Sequence, residues 1–203
     1  GLNRFVFRSG LVMKPVFTTA RASTAKRVVY ADGEDERVLR ATQVVVEEGI
    51  AEPILIGRPH VIDVRLRRYG LKIKAGKDFQ LINPEDDPRY RHYVDLLIEL
   101  AGRRGITQEA ARTMVRTDNT VIAALALKRG DGDAMLCGLE GRFSKHLRNV
   151  SLIIGPRPGI KDNDLSTLSM LISQRGITFF TDTYVTVDPT AEEIAERSEE
   201  HTS

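Results

Sequence analysis

The stretch that decides the fold is residues 27–57, RVVYADGEDERVLRATQVVVEEGIAEPILIG. It opens on a β-branched run at 27–31, continues with helical spacing of apolar residues over 35–48, and closes on a second apolar run at 53–57. Gly49 stands where a helix commonly ends. Strand, helix and strand in this order predict two parallel strands, because parallel neighbours are joined by a long, usually helical, connection.

The same alternation continues on both sides of this stretch. Helices are predicted at residues 15–23, 59–69, 89–103, 107–117, 119–128 and 190–196, strands at 79–82 and 134–137, and a hairpin at 168–172 and 178–181. This pattern predicts an α/β fold with three layers, α/β/α, around a mostly parallel sheet in which 134–137 is a central strand.

The chain is expected to hold more than one part. We divide it into a linker at 1–26, most of one lobe at 27–155, the start of a second α/β lobe at 156–196 and a tail at 197–203. The boundary falls at the Gly-Pro-Arg-Pro-Gly segment that begins at Gly155. The tail is what a common sequencing-library adapter encodes in one reading frame, so we expect it to be non-native.

Composition bounds the class of protein. The 203 residues include 41% hydrophobic side chains, 30 bases and 28 acids, which suffices for a packed core and leaves a net charge of +2. We expect no membrane span, no secretory leader and, with Cys137 as the single cysteine, no internal disulfide, as in a cytoplasmic protein. Nucleic-acid binding is disfavoured, since the bases near the start are spread through an apolar pattern without a platform of aromatics.

The acidic segment at residues 32–37 follows the first strand, where an α/β sheet presents ligand groups. Its acids could hold a hydroxyl or a metal and Arg37 a phosphate, but acids also suit the positive end of the next helix. We favour the structural role, with Arg37 paired to one of the acids. The segment is not a phosphate-binding glycine loop, because one glycine beside four acids repels an anion.

The segment at residues 138–148 follows the strand at 134–137 and is the candidate anion site. Its two glycines permit close approach of a ligand. Four side chains can bond to phosphate oxygens: Arg142, Ser144, Lys145 and Arg148. The alternative is a solvated loop and helix face without a binding function.

Other chemistry finds little support in the sequence. The four histidines lack metal-site spacing, and neither a Walker loop nor a Gly-x-Ser-x-Gly elbow occurs. Cys137 as a nucleophile would need a base, for which His146 is the candidate, whereas a buried core thiol is the favoured interpretation. We therefore assign no catalytic residue and no metal ligand.

Five segments carry a resemblance to a known family. They are KRVVYADGEDERVLRATQVVVEEGIAEPILIGRP at 26–59, INPEDDPRY at 82–90, ELAGRRGIT at 99–107, KRGDGDAMLCG at 128–138 and TDTYVTVDPTAEEIAE at 181–196. The chain resembles the phosphotransacetylase (phosphate acetyl/butyryl transferase) family. Within it, the chain is most similar to the phosphotransacetylase-like domain that follows the catalytic part of bacterial NADP-dependent malic enzymes.

The resemblance implies a two-part α/β fold that binds acetyl-CoA between its lobes and forms homo-oligomers through these domains. It also implies a partner within the same polypeptide, a malic-enzyme domain that uses NADP and a divalent metal, Mg or Mn, to convert malate to pyruvate. Residues 1–26 would be the linker from that domain. Acetyl-CoA would be the ligand of this chain, which itself would hold no cofactor.

Two departures from the family favour regulation over catalysis. Active members commonly carry an arginine where Ala101 stands, and a Ser/Thr-rich loop ending in Arg-Pro at 140–149, where Arg148 alone matches. The leading interpretation is an acetyl-CoA-binding domain that regulates malate decarboxylation. The alternatives are a working phosphate acetyltransferase, which moves acetyl between CoA and phosphate, and an oligomerisation domain that binds nothing.

Overall fold

The computed structural model describes residues 2–156, 167–173, 175–181, 185 and 190–191. The helices are α1 (Leu2–Ala22), α2 (Glu36–Glu47), α3 (Pro59–Arg68), α4 (Tyr90–Ala101), α5 (Gln108–Thr117), α6 (Asn119–Arg129) and α7 (Phe143–Ile153), with a 3-10 turn at Gly102–Arg104. The strands are β1 (Lys26–Tyr30), β2 (Ala51–Ile56), β3 (Gln80–Ile82), β4 (Ala134–Leu136), β5 (Leu168–Ser173) and β6 (Gly176–Thr181).

The first four strands form a parallel sheet in the order β3-β2-β1-β4. Val29 is in register with Ile54 on one side and Met135 on the other. The predicted parallel α/β sheet is confirmed; among the described residues, β4 pairs with β1 alone and lies at the edge of the sheet, where a central position was expected. A short apolar run cannot distinguish the two positions, because both leave side chains to be covered by other elements.

Alternate residues of the strands face two separate cores. Val29 and Ile54 pack with α4, α5, α6 and α7, whereas Tyr30 and Leu55 pack with α2 and α3. The period-two alternation of a strand therefore sends one set of side chains to each helical layer. This arrangement is the predicted three-layer α/β/α fold.

Helix caps follow the predicted chemistry in part. Thr107 caps α5 by accepting from the backbone N of Ala110 at 3.2 Å, as predicted. Asp87 accepts from the backbone N of Arg89 at 2.9 Å and thus supports the entry into α4. In α1, Pro15 lies inside the helix, so the prediction that a helix begins near this proline is wrong.

Residues Phe17–Gly155 form one compact unit, and the remaining residues belong to a second. In the second unit, β5 pairs with β6 in an antiparallel hairpin, which confirms the predicted hairpin. The predicted helix at 190–196 and the tail at 197–203 lie outside the described residues, apart from 190 and 191. The division of the chain into a linker, a first lobe and the start of a second stays a prediction.

Candidate functional site

A cleft of about 440 Å³ lies at the carboxyl edge of the parallel sheet. Loops that follow all four of its strands contribute to the walls. The lining residues are five acids, three arginines, an asparagine and a proline: Asp32, Glu34, Asp35, Glu85, Glu140, Arg58, Arg65, Arg116, Asn119 and Pro84. Both this position and this size are typical of small-molecule sites in α/β proteins.

The loop after β1 crosses the end of β2, and Gly33 makes this crossing possible. The Gly33 N–H donates to the carbonyl oxygen of Ile56 at 3.1 Å, and a Cβ at position 33 would lie 2.6 Å from the same oxygen. A larger side chain would therefore force the two backbones apart. The crossing brings Glu34, the next residue, to the end of β2.

Glu34 and Arg58 form an ion pair in the cleft. Nε and Nη2 of Arg58 donate to the two carboxylate oxygens at 2.9 Å each, and its backbone N donates at 2.8 Å. The side-chain bond from Arg58, more than any other interaction, holds the pKa of Glu34 below its usual range. The Glu34 carboxylate is therefore ionised and already bonded at neutral pH, which makes it a poor general base.

Asp35 has the structural role that the sequence predicts for the acidic segment. It is the N-cap of α2 and accepts from the backbone N of Arg37 at 2.7 Å. The Arg37 guanidinium pairs with the same carboxylate at 2.9 Å and lowers the pKa of Asp35. The predicted pairing of Arg37 is confirmed, while Asp32 and Glu34 lie in the cleft.

The charge of the cleft is negative overall, because its carboxylates outnumber its guanidinium groups by five to three. Such a lining disfavours a highly charged anion at the centre of the cleft. On the side formed by α5 and α6, Arg116 lies over the Tyr90 ring at 5.1 Å and Asn119 lies nearby. These two side chains can donate to polar groups of a ligand.

Of the four predicted anion-binding residues, three lie at the start of α7 and Arg148 lies at its middle. Arg142, Ser144, Lys145 and Arg148 are exposed, and none of them lines the cleft. Glu140, two residues before α7, is the lining residue closest to them in the chain. The first N–H groups of a helix have no acceptor within it and favour negative charge, so the start of α7 suits an anion. The assignment of these residues to a binding site stays a prediction.

Asp118 connects α6 with α7. One of its carboxylate oxygens accepts from the backbone N of Thr120 at 3.1 Å and of Val121 at 3.3 Å, which caps α6. The other accepts from Nδ2 of Asn149 at 3.0 Å and from Nζ of Lys145 at 2.7 Å. The charge of Lys145 is therefore already paired with a carboxylate, and this lysine has less to offer an anionic ligand than an unpaired one would.

Cys137 is exposed, so the prediction of a buried core thiol is wrong. Partial burial of the sulfur raises the pKa of the thiol, the Asp32 carboxylate raises it further, and a hydrogen bond with Thr120 opposes both. The His146 ring is engaged elsewhere, with Nδ1 at 2.7 Å from the Thr120 hydroxyl and Nε2 at 2.6 Å from the Glu140 carbonyl oxygen. A thiol with a raised pKa is protonated at neutral pH, which argues against a nucleophilic role.

Ala101 lies in the core, where it is fully buried against α6 and its neighbours. It ends α4, which begins at Tyr90 beneath the cleft residue Arg116. With a rise of about 1.5 Å per residue, Ala101 lies about 16 Å along the helix from Tyr90. The inference that Ala101 takes the place of a phosphate-binding arginine stays a prediction.

Among the described residues, no group of three or more His, Cys, Asp or Glu side chains could hold a metal ion. No helix in this part of the chain is long and apolar enough to cross a membrane. Sequence patterns also missed six lining residues: Arg58, Arg65, Pro84, Glu85, Arg116 and Asn119. Arg65, Arg116 and Asn119 stand on helices and the other three on loops, all without a local motif, so only the three-dimensional fold brings them to the sheet edge.

Comparison with known proteins identifies the family. A family model described as phosphate acetyl/butaryl transferase matches residues 11–201. The chain belongs to this family. The predicted resemblance to phosphotransacetylases is therefore confirmed.

Relatives of the chain include both malic enzymes and phosphate acetyltransferases. An NAD-dependent malic enzyme of Rhizobium meliloti is 64% identical over 96% of this chain and 25% of its own length. An NADP-dependent malic enzyme of Escherichia coli is 45% identical over the same shares. A phosphate acetyltransferase of Nitratidesulfovibrio vulgaris is 29% identical over 84% of this chain and 23% of its own length. The chain thus spans about a quarter of the length of these relatives.

Solved structures agree with the family. A phosphotransacetylase from Streptococcus pyogenes superimposes with a TM-score of 0.78 at 26% identity, over 92% of this chain and 56% of that one. A phosphotransacetylase from Staphylococcus aureus, 20% identical, has a TM-score of 0.77 over 91% of this chain and 55% of its own, and supports the fold alone.

Proposed function

We propose that the chain is the phosphotransacetylase-like domain of a malic enzyme, where it binds acetyl-CoA and thereby regulates oxidative decarboxylation of malate to pyruvate. The observation that carries this proposal is the 64% identity, over 96% of the chain, to a protein named as a malic enzyme that is about four times as long. The malic-enzyme domain of the same polypeptide is its partner.

The two parts of the site suit the two parts of acetyl-CoA. The phosphates of the ligand are anionic, and the exposed Arg142 and Ser144 at the start of α7, with Arg148 at its middle, offer cationic and hydroxyl donors. The acyl-bearing arm is uncharged and polar, which suits a cleft of mixed charge with donors such as Asn119. Lys145 contributes less than the arginines, because Asp118 already pairs with it at 2.7 Å.

Regulation follows from linkage between two sites. If acetyl-CoA inhibits malate turnover, it must bind more tightly to the less active state, and malate must in turn affect acetyl-CoA binding by the same factor. The predicted NADP and divalent Mg or Mn belong to the malic-enzyme domain, and no residue of this chain is assigned to them. Because relatives are named for NAD as well as NADP, both nucleotides belong in the assay. Homo-oligomerisation and a cytoplasmic location are further parts of the proposal.

Calorimetric titration of the complete protein with acetyl-CoA tests the proposed binding. We expect Arg148→Ala to weaken binding by about 1 to 3 kcal/mol, the cost of one charge-assisted hydrogen bond. Arg103→Ala is the matched control, since Arg103 is also exposed but lies in the 3-10 turn after α4. Equal affinities for the two variants would remove Arg148 from the site.

The second candidate function is phosphate acetyl transfer. It is favoured by the superposition on the Streptococcus pyogenes phosphotransacetylase with a TM-score of 0.78. An assay for acetyl phosphate formed from acetyl-CoA and phosphate distinguishes this function from a regulatory one. Turnover at ordinary enzyme rates would show that the domain is an acetyltransferase. Absence of any binding heat at millimolar acetyl-CoA would instead favour an oligomerisation domain.

A further inference from the structure

The loop at residues 137–142 joins β4 to α7 and contributes to the cleft between them in the chain. Glu140 lines the cleft, and Arg142 is the N-cap of α7. The N–H of Leu139 donates to Oδ2 of Asp32, another lining residue, at 3.1 Å. The loop therefore connects the cleft with the predicted anion-binding residues of α7.

The His146 ring ties this loop to two helices. His146 lies near the start of α7, with Nε2 at 2.6 Å from the carbonyl oxygen of Glu140 and Nδ1 at 2.7 Å from the hydroxyl of Thr120. Thr120 belongs to the first turn of α6 and is only 3% exposed. Ile122 of α6 and Ile153 of α7 belong to one hydrophobic core. The ring therefore holds the loop against a packed part of the protein.

The two contacts of His146 determine which ring nitrogen carries the hydrogen. A carbonyl oxygen can only accept, so Nε2 carries a hydrogen and donates it to Glu140. In the neutral ring Nδ1 is then the acceptor, and the Thr120 hydroxyl donates to it. Both ring nitrogens are used within the protein, so His146 can affect a ligand only through the loop that it holds.

Gly141 allows the ring to lie this close to the loop. Its φ is +96°, in the left-handed region, and a Cβ at this position would lie 3.1 Å from Nε2 of His146. Gly138 has a similar φ of +101°, but its Cβ would meet no atom within 4 Å. The two glycines thus share a backbone conformation and differ in their contact with the ring.

We propose that His146 is a positioning residue of the acetyl-CoA site, which it maintains by holding the Glu140 carbonyl and with it the loop between the cleft and α7. The inference rests on the proposed function, in which acetyl-CoA occupies the cleft and the start of α7. A loop without this anchor has to be ordered when the ligand binds, and such ordering lowers affinity. An anchored loop needs no ordering, so His146 increases affinity without contact with the ligand.

Calorimetric titration of the complete protein with acetyl-CoA tests this role. His146→Ala is expected to weaken binding about 10-fold or more. His146→Gln should recover part of the loss, because its amide N–H can donate to the Glu140 carbonyl. His92→Ala is the control and should change nothing, since His92 is exposed on α4. Unaltered affinity in His146→Ala would overturn the proposal, and so would equal losses in His146→Ala and His146→Gln, which would show that the ring only supports the fold.

The two glycines provide a matched pair that leaves His146 in place. Alanine is strained at both positions because of the positive φ, but only Gly141→Ala displaces the ring. We therefore expect Gly141→Ala to weaken acetyl-CoA binding several-fold more than Gly138→Ala. Equal affinities for the two variants would contradict a role of the ring contact.

Hydrogen exchange of the Leu139 amide, measured without ligand, reports on the anchor itself. This amide is bonded to Asp32, so its exchange requires the loop to open. We expect exchange about 10-fold faster in His146→Ala than in the unaltered protein or in His92→Ala. Unchanged exchange would overturn the proposal. Faster exchange in His146→Ala, together with no binding of acetyl-CoA by the unaltered protein, would refute the proposed function and the ligand role of His146, but not the anchoring of the loop.

Discussion

Replacement of Asp118 by alanine should destabilise the first unit and loosen the helix that carries the predicted anion-binding residues. Three interactions are lost at once. Removal of the α6 cap costs about 1 kcal/mol. Asn149 is only 5% exposed, so the loss of the acceptor for its buried amide costs a further 1 to 3 kcal/mol, roughly. The pair with Lys145, whose side chain is 55% exposed, adds less than about 1 kcal/mol because solvent screens it. We expect a total of about 2 to 5 kcal/mol.

Urea denaturation followed by circular dichroism measures this free energy of unfolding. Lys145→Met removes the ion pair alone and should cost less than about 1 kcal/mol. Asp118→Asn keeps an oxygen that can cap α6 and should fall between the two variants. A cost for Asp118→Ala no larger than that for Lys145→Met would refute the view that Asp118 holds α6 and α7 together.

Two further predictions concern the loop after β1 and the ion pair of β1 with the segment before β4. Gly33→Ala should destabilise the protein by about 1 to 3 kcal/mol or more, because the added Cβ meets the Ile56 carbonyl. Gly102→Ala is the control and should be tolerated, because its Cβ would lie 3.7 Å from its nearest neighbour. Equal urea midpoints for the two variants would contradict this prediction. The Arg27 guanidinium lowers the pKa of Asp133 to about 2, so the stability that this pair contributes is complete above about pH 5 and is lost as pH falls towards 2. Asp133→Asn should therefore lower the urea midpoint at pH 7 but not at pH 2, and a difference that does not change with pH would exclude the pair as its cause.

Local sequence patterns were sufficient to predict the strands of the sheet and the helices of its two layers. Apolar runs and their spacing mark β1, α2 and β2, and Thr107 marks the start of α5 through the chemistry of its hydroxyl. The pairing of Arg37 with a neighbouring acid was also predictable, because Asp35 is only two residues away. These features depend on residues that are close in sequence, so the sequence alone is enough to predict them.

The cleft could not be predicted in the same way. Glu34 and Arg58 are 24 residues apart, and Asp118 and Asn149 are 31 apart. No local sequence pattern therefore predicts either pair. Whether β4 lies at the centre or the edge depends on what packs beside it, which also decides the exposure of Cys137. An apolar run shows that a side chain needs cover but not which element provides it.

The most direct test of the proposed function is the rate of malate-dependent NAD and NADP reduction by the complete protein as acetyl-CoA is added. We expect a saturable change in rate, with Arg148→Ala shifting the half-maximal acetyl-CoA concentration upward by about 5- to 150-fold, the equivalent of 1 to 3 kcal/mol. A rate that stays constant up to millimolar acetyl-CoA in the unaltered protein would contradict the proposal that this domain is an acetyl-CoA sensor.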